Sequence, residues 1–209
     1  MKEIYPGIFT WSWLSPKHGY NFNGYALDGD DGLIVIDPVI VGDEELGEIL
    51  ELGTPKYVIL TNKDHERMAY DLRDKYRSMI YINELDTGFL KSSPDVTFRD
   101  RDALPGNLYV INIPNNKSPG ESALLLRRDK CILFIGDAII GWPKGEFSLL
   151  PREKYKDPDM AKKSLGVLLD FDYDTVLVGD GESVLGKGKQ SVKNFLTRKQ
   201  DIHLTLPVQ

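Results

Sequence analysis

Apolar residues in the first half of the chain fall into several short runs and one helical pattern. The short runs are rich in aromatic and branched residues, which favour strands, whereas Leu46, Ile49 and Leu50 recur at the spacing of one helix face. These patterns predict strands at 8–13, 22–27, 32–36, 57–60 and 78–82, and helices at 43–52 and 66–76. A cluster of Asp and Gly at 28–32 predicts a hairpin turn.

The second half repeats this order of strands and helices. Predicted strands lie at 108–111, 122–126, 131–135 and 175–178, and predicted helices at 160–169 and 191–198. A loop rich in proline and glycine is predicted over 142–159. No linker separates two parts, so we predict one α/β domain over residues 1–209, with two stacked sheets and outer helices.

Composition and charge narrow the range of partners. Hydrophobic residues make up 41% of the chain and charged residues 28%, as is typical of globular proteins. The net charge of −6 argues against a nucleic-acid partner. No apolar run approaches the ~20 residues of a membrane span and no signal peptide is recognised, so we expect no membrane partner and a cytoplasmic location. One cysteine, Cys131, excludes a disulfide framework and a cysteine-based zinc site.

Three of the predicted strands are followed at once by acidic side chains. Ligands of open α/β sheets bind beyond the carboxyl ends of strands, and a neighbouring glycine lets a ligand approach the backbone. These side chains are Asp64, with His65 beside it, then Asp137 and Asp180. The three loops together predict a functional site at one edge of the sheets.

Further segments follow the same order as the motifs of a known family. They are 5–9, 23–25, 32–38 (similar to "liliDpg"), 116–120 (in place of G-H-T-x-G), 134–138 (close to f-x-G-D-a) and 178–181 (in place of G-H-G). Over nearly its whole length the chain therefore resembles the metallo-β-lactamase superfamily. The resemblance implies an αββα sandwich, in which two mixed β-sheets pack face to face between outer helices.

The resemblance also implies a two-metal centre, most of whose histidines are replaced here. In the family, three histidines hold one metal, an Asp-His pair and a terminal histidine hold the second, and an Asp bridges both. This chain contains only His18, His65 and His203. By the same resemblance, Lys117 replaces the third histidine of the first metal, and Asp180 replaces the terminal histidine.

Residues 61–67 align with the family's T-H-x-H-x-D-H element in two ways. If Asp64 and His65 are the Asp-His pair, two residues of the element are missing and the first metal keeps at most Asn62. In the ungapped alignment His65 points away, and the ligand positions hold Asn62, Asp64, Glu66 and Arg67. We favour the first alignment, because it keeps the Asp-His pair and matches the helix that follows.

The favoured alignment leaves one candidate metal site, formed by Asp64, His65, Asp137 and Asp180. Three carboxylates and one imidazole suit a single ion, and their hard oxygens favour Mn²⁺, Mg²⁺ or Fe²⁺ over a His-rich zinc site; we therefore predict one divalent metal (Mn, Fe or Zn) or none. Asp64 or Asp180 is then the candidate catalytic base. Alternatively, the ammonium group of Lys117 neutralises the carboxylates without a metal.

Ordinary structural roles compete with these assignments. His65 is equally compatible with the first turn of a helix, and Asp137 with a capping role in a tight turn. Asp37, before a proline, is expected to accept hydrogen bonds from loop amides. His18 is expected to be exposed to solvent rather than catalytic.

Two functions from different classes remain open. The first is hydrolysis of an ester, thioester or phosphoester bond with at most one metal ion. The second is a non-catalytic scaffold that binds a small molecule or a protein. The sequence does not identify the small-molecule substrate or ligand, and it leaves an oligomer possible through the loop at Trp142.

Overall fold

Two β-sheets form the centre of the computed structural model, which describes residues 1–29 and 32–198. His203 and the middle of the turn predicted at 28–32 lie outside these residues. The first sheet consists, in spatial order, of β1 (Lys2–Tyr5), β2 (Ile8–Leu14), β3 (Asn21–Leu27), β4 (Leu33–Ile36), β5 (Pro55–Ile59), β6 (Met79–Asn83) and β7 (Val96–Phe98). Neighbouring strands are antiparallel from β1 to β4 and parallel from β4 to β7.

The second sheet also follows the order of the chain. It consists of β8 (Ala103–Leu104), β9 (Leu108–Asn112), β10 (Ser122–Arg127), β11 (Cys131–Ile135) and β12 (Thr175–Val178). The strands are antiparallel from β8 to β11, and β11 and β12 are parallel. The mixture of parallel and antiparallel strands in both sheets agrees with the predicted sandwich.

Helices cover the outer faces of both sheets. On the first sheet lie α1 (Asp43–Leu52) and α2 (Ala69–Tyr76), and on the second lie α3 (Pro158–Ser164) and α4 (Gly188–Thr197). Short 3-10 helices occupy Lys63–His65, Glu84–Phe89, Pro105–Asn107, Arg152–Lys154 and Leu165–Asp170. This arrangement confirms the predicted αββα sandwich. Among the described helices, none has the length and apolar character needed to cross a bilayer.

Strand residues alternate between the two faces of the first sheet. Ile34 and Ile36 of β4 point inward and share a buried cluster with Phe134 of the second sheet. Val35 and Val58 point outward and pack with the helices. Because such strands are buried on both faces, they read as continuous apolar runs, and each fully buried side chain stabilises the fold by about 1.5–3 kcal/mol.

Three predicted helices differ from the structure at their ends. The helix predicted from residue 66 begins at Ala69, because Asn62 first caps a 3-10 turn and Arg67 then adopts a left-handed backbone (φ 28°). The helix predicted over 160–169 ends at Ser164 and continues as a 3-10 helix. The helix predicted over 191–198 begins earlier, at Gly188, and ends at Thr197. The strands β1, β7 and β8 were not predicted.

Candidate functional site

Four central strands, β4, β5, β11 and β12, end at the same edge of the sandwich. Main-chain hydrogen bonds join the sheets there: the Ser122 amide donates to the Thr61 carbonyl (2.9 Å), and the Asn23 amide donates to the Gly179 carbonyl (2.7 Å). The loops that leave these strands carry the polar side chains of the site, namely Asp37, Asn62, Asp64, His65, Asp137 and Asp180.

His65 lies inside this edge, with its ring between two carboxylates. Asn62 accepts a hydrogen bond from the Asp64 amide (2.9 Å) and so caps the 3-10 turn that ends at His65. The histidine Nδ1 lies 2.9 Å from Asp37 Oδ2, and its Nε2 lies 3.3 Å from Asp137 Oδ1. Because each ring nitrogen faces a carboxylate oxygen, the ring is best satisfied as an imidazolium that donates to both.

The pKa shifts of this buried pair favour its charged form. Burial and Arg67 lower the pKa of His65, but Asp37 and Asp137 outweigh them and raise it to about 10. Burial raises the pKa of Asp137, but His65 and Lys117 hold it well below its usual range. At neutral pH the site therefore contains an imidazolium beside a carboxylate.

Asp37 holds the histidine from the side opposite Asp137. Its Oδ1 accepts a hydrogen bond from the Thr61 amide (2.9 Å) and its Oδ2 accepts one from the Thr61 hydroxyl (2.6 Å), which confirms the expected bond to a loop amide. The ring is also enclosed by backbone: a Cβ atom on Gly179 would lie 2.8 Å from His65 Cε1. Glycine is needed there for this close approach.

Lys117, from the loop between β9 and β10, joins two further carboxylates. Its Nζ lies 2.5 Å from Asp137 Oδ2 and 2.9 Å from Asp64 Oδ2. Burial lowers the pKa of Lys117, but Asp137 and Asp64 raise it above its usual range. Lys63 Nζ also contacts Asp64 (3.1 Å). Asp37, His65, Asp137, Lys117 and Asp64 thus form one chain of alternating charges.

Arg67 forms a second and looser ion pair beside this chain. Its Nη2 lies 3.5 Å from Asp180 Oδ1, and its guanidinium carbon lies 4.6 Å from the centre of the Phe22 ring. Its Nη1 is buried and has no hydrogen-bond partner among the described residues. Burial, followed by repulsion from Asp137, raises the pKa of Asp180 to about 7.

Glu121 lies beneath the site and is fully buried. Its Oε1 accepts hydrogen bonds from Asn62 Nδ2 (3.3 Å) and from the Ala138 amide (3.2 Å), while no described residue pairs with its Oε2. Burial and the nearby Asp137 raise the pKa of Glu121 well above its usual range. Burial therefore favours the neutral form of Glu121, and its bond to the Ala138 amide supports the loop carrying Asp137.

A cleft of about 150 Å³ opens above these charges. One wall is aromatic: the ring centres of Tyr20 and Phe22 lie 6.0 Å apart, and that of His18 lies 5.6 and 5.4 Å from them. The remaining lining residues are Asp64, His65, Arg67, Lys117, Asp137, Leu150, Pro151, Lys154 and Asp180. The cleft thus places charged groups opposite an aromatic wall of tilted rings.

A family model described as the metallo-β-lactamase superfamily matches residues 1–198 of the chain. The chain belongs to this superfamily. The matched segment includes every strand of both sheets and every residue of the cleft. A search of curated proteins finds no match.

Solved structures agree with this family assignment at the level of the fold. A metallo-β-lactamase from Pontibacter korlensis is 16% identical, with a TM-score of 0.75 over 95% of this chain and 98% of that one. The BLEG-1 B3 metallo-β-lactamase is 19% identical, with a TM-score of 0.70 over 91% of this chain and 100% of that one. A metallo-β-lactamase family protein from Thermus thermophilus is 17% identical, with a TM-score of 0.68 over 92% of this chain and 79% of that one.

The side chains that meet at the site do not fit the metal centre implied by the superfamily. A histidine must be neutral to bind a metal, whereas both ring nitrogens of His65 face carboxylates. The ammonium group of Lys117 lies between Asp64 and Asp137, and the guanidinium group of Arg67 faces Asp180. Cations of the chain itself therefore neutralise all three carboxylates.

The predicted metal ligands are only partly brought together. Donor atoms of His65, Asp137 and Asp180 lie within 4.8 Å of one another, and no other described residue joins this group. Asp64, predicted as the fourth ligand, faces Lys63 and Lys117 instead. The assignment of these residues to a metal stays a prediction.

The structure agrees with each alignment of residues 61–67 in part. Arg67 turns toward Asp180, as the ungapped alignment suggests. Glu66, which that alignment also places at the site, instead accepts hydrogen bonds from the Tyr70 hydroxyl (2.6 Å) and the Lys91 amide (2.8 Å). His65 does not point away but lies inside the site, as the favoured alignment expects.

Several residues of the site were not found from the sequence. Glu121 directly precedes the apolar run of β10. A single acid beside a buried strand is the sequence signal by which it could have been found. Lys154 and Phe22 carry no sequence signal, since only folding brings them to the cleft. His18, expected to be exposed, is half-buried because its ring packs against the aromatic wall and its Nδ1 bonds the Ser15 hydroxyl (2.8 Å).

Proposed function

We propose that this protein is a metal-free member of the metallo-β-lactamase superfamily that binds a small molecule in the cleft. The observation that carries the proposal is the position of Lys117 Nζ, at 2.9 Å from Asp64 and 2.5 Å from Asp137. A lysine in this position forms an ion pair with both carboxylates, and its positive charge repels a divalent cation.

The open side of the cleft supports a binding role over that of a closed scaffold. Arg67 keeps a buried nitrogen without a partner among the described residues, and Asp180 makes only a 3.5 Å contact with it. An unpaired buried polar atom costs about 1–3 kcal/mol, so a purely structural site gains nothing from keeping one. A ligand that supplies the missing partner recovers this free energy.

Metal-assisted hydrolysis is the second candidate function. It is favoured by the cluster of His65, Asp137 and Asp180, whose donor atoms lie within 4.8 Å of one another. The bond class remains the one expected from the sequence, an ester, thioester or phosphoester. This function requires His65 to release its proton, against the two carboxylates that hold it.

Metal content distinguishes the two functions. We expect protein purified without chelator to contain far less than one ion per chain by mass spectrometry, and its melting temperature to be the same with Mn²⁺, Fe²⁺, Zn²⁺ or a chelator. Near-stoichiometric metal that is lost in an Asp180→Ala variant would contradict the proposal and establish the second candidate.

Ligand binding is tested separately by NMR. A library of small anionic, neutral and cationic fragments is titrated into the ¹⁵N-labelled protein, and we expect at least one class to shift the backbone amides of Phe22, Arg67 and Lys154. No shift at these amides with any class of fragment would contradict a binding role.

A further inference from the structure

The guanidinium group of Arg67 is fixed in the cleft with one nitrogen unused. Phe22 packs against its face at 4.6 Å, and Asp180 receives Nη2. Nη1 is buried, and no described residue accepts its hydrogen bond. Because the group is held in place before any ligand arrives, it can donate to an acceptor at little cost in conformational entropy.

Lys154 is a second cation of the cleft and lies at its rim. It ends the 3-10 helix Arg152–Lys154 and lines the cleft. Within residues 1–29 and 32–198, its side chain has no ion-pair or hydrogen-bond partner. Its positive charge also acts on His18 in the aromatic wall. Burial lowers the pKa of His18 most, and the charges of Lys17 and Lys154 lower it further.

The carboxylates of the cleft are mostly engaged, whereas Lys154 has no ion pair with any described residue and Arg67 keeps one nitrogen unused. Asp64 and Asp137 face Lys117, and Asp137 also faces His65. Among the lining groups, Asp180 alone retains a carboxylate with only a distant contact. In a protein of net charge −6, the unpaired Lys154 and the unused Nη1 of Arg67 place two positively charged donors where a ligand would bind.

The size and shape of the cleft limit the ligand. A volume of about 150 Å³ is well below the ~300–1,000 Å³ of clefts that hold drug-sized molecules. The rings of Tyr20 and Phe22 are tilted by 58° to one another and form an angled apolar wall, against which the apolar part of a ligand can pack. A compact ligand with an apolar part fits these dimensions.

We infer that the cleft binds a compact organic carboxylate, whose carboxylate accepts hydrogen bonds from Arg67 Nη1 and Lys154 and whose apolar part lies against Tyr20 and Phe22. This inference rests on the proposed function and names the ligand class of that same site. Two separate donors, Arg67 Nη1 and the Lys154 ammonium, match the two oxygens of a carboxylate better than they match a spherical anion.

Calorimetric titration with benzoate and with neutral benzamide tests the inference. The two probes have nearly the same shape and differ in charge, so we expect benzoate to bind at least tenfold more tightly. We expect Arg67→Gln to weaken benzoate binding about tenfold and Lys154→Gln about threefold. Lys193→Gln removes an exposed lysine of α4 that does not line the cleft, and is expected to leave the affinity unchanged.

Several outcomes would overturn the inference. Equal affinity for benzamide would show that the charge is not recognised. Tighter binding of inorganic phosphate than of benzoate would show that the ligand is a phosphate and not a carboxylate. Lys154 is exposed, so its substitution by Gln should not impair folding. If benzoate affinity is unchanged in Lys154→Gln, Lys154 does not bind the carboxylate, and this conclusion holds even if Arg67→Gln unfolds. Failure of the proposed function is distinct, since it appears as bound metal or as no fragment binding of any charge.

Discussion

The two sides of the cleft use the same kinds of charged groups but pair them differently. On one side, Lys117 lies 2.5 and 2.9 Å from two carboxylates. On the other, Arg67 lies 3.5 Å from Asp180 and leaves a buried nitrogen unpaired. The cations differ in burial only modestly, with 24% of the Lys117 side chain and 15% of the Arg67 side chain exposed.

This difference suits a structural role on the first side and the proposed binding role on the second. Removing one partner of a buried, fully paired charge is costly, whereas charges that are loosely paired remain available to a ligand. The comparison therefore predicts large losses of stability from substitutions on the Lys117 side, and small losses or gains on the Arg67 side.

The largest expected effect is on the histidine that anchors the paired side. His65→Gln leaves the buried Asp37 without a cation and Asp137 with Lys117 alone, and we expect a loss of about 3–5 kcal/mol in the free energy of unfolding near pH 6. The folded pKa of about 10 lies above the unfolded value, so the contribution of His65 is complete below ~6.5 and is lost as the pH rises through about 10.

Urea unfolding of the wild type and the variant at pH 6, 8 and 10 measures this effect. The difference between them should narrow as the pH increases. His18→Gln serves as a control, since burial and Lys17 lower the pKa of His18, the opposite of the shift at His65. A His65→Gln difference that stays constant or widens toward pH 10 would refute the imidazolium assignment.

A smaller but still large effect is expected for the lysine that joins two acids. Lys117→Met should destabilise the protein by about 3 kcal/mol, because Asp137 is buried and loses a partner. Lys63→Met is a matched control: this lysine contacts the same Asp64, at 3.1 Å, but not Asp137, and should cost less than about 1 kcal/mol. Equal losses in the two variants, measured by urea unfolding, would mean that Lys117 is an ordinary surface cation.

The smallest effect, with the opposite sign, is expected at Asp180. Burial and Asp137 raise the pKa of this carboxyl to about 7, so above that pH the folded protein holds a charge that burial disfavours. Asp180→Asn should increase the free energy of unfolding by about 1 kcal/mol at pH 8, with the gain growing between pH 4 and pH 7.

Thermal or urea unfolding at pH 4 and pH 8 measures the change at Asp180. Asp172→Asn is the control, because Asp172 is exposed and pairs with Lys189 at 2.8 Å, and it should bring no gain. Destabilisation by Asp180→Asn at pH 8 would show that the Arg67 side is paired as firmly as the Lys117 side.

Most of the sandwich could be predicted from the sequence, because its central strands are buried on both faces. The predicted boundaries of α1, β11 and β12 agree with the structure, because a polar residue or a glycine flanks each of these elements on both sides. The edge strand β7 has three residues, of which only Phe98 is buried, so its pattern was too short to detect.

The site was predicted less completely than the fold, for a physical reason. Asp137 and Asp180 follow buried strands, and the sequence pattern marks such positions. Which cation faces which acid depends on loop geometry: the left-handed backbone of Arg67 (φ 28°) turns its side chain toward Asp180. The possibility that Lys117 replaces a metal followed from its place in the family motif, and its 2.5 Å contact with Asp137 supports that alternative.

The contacts of Lys117 also bear on how the protein matures in a cell. A protein that depends on an ion completes its site only after capturing that ion, and the stability it gains follows the free ion concentration. Lys117 is part of the chain and reaches Asp64 and Asp137 whenever the loop between β9 and β10 folds. The ion pairs of Lys117 with Asp64 and Asp137 therefore form as the chain folds and need no ion from outside it.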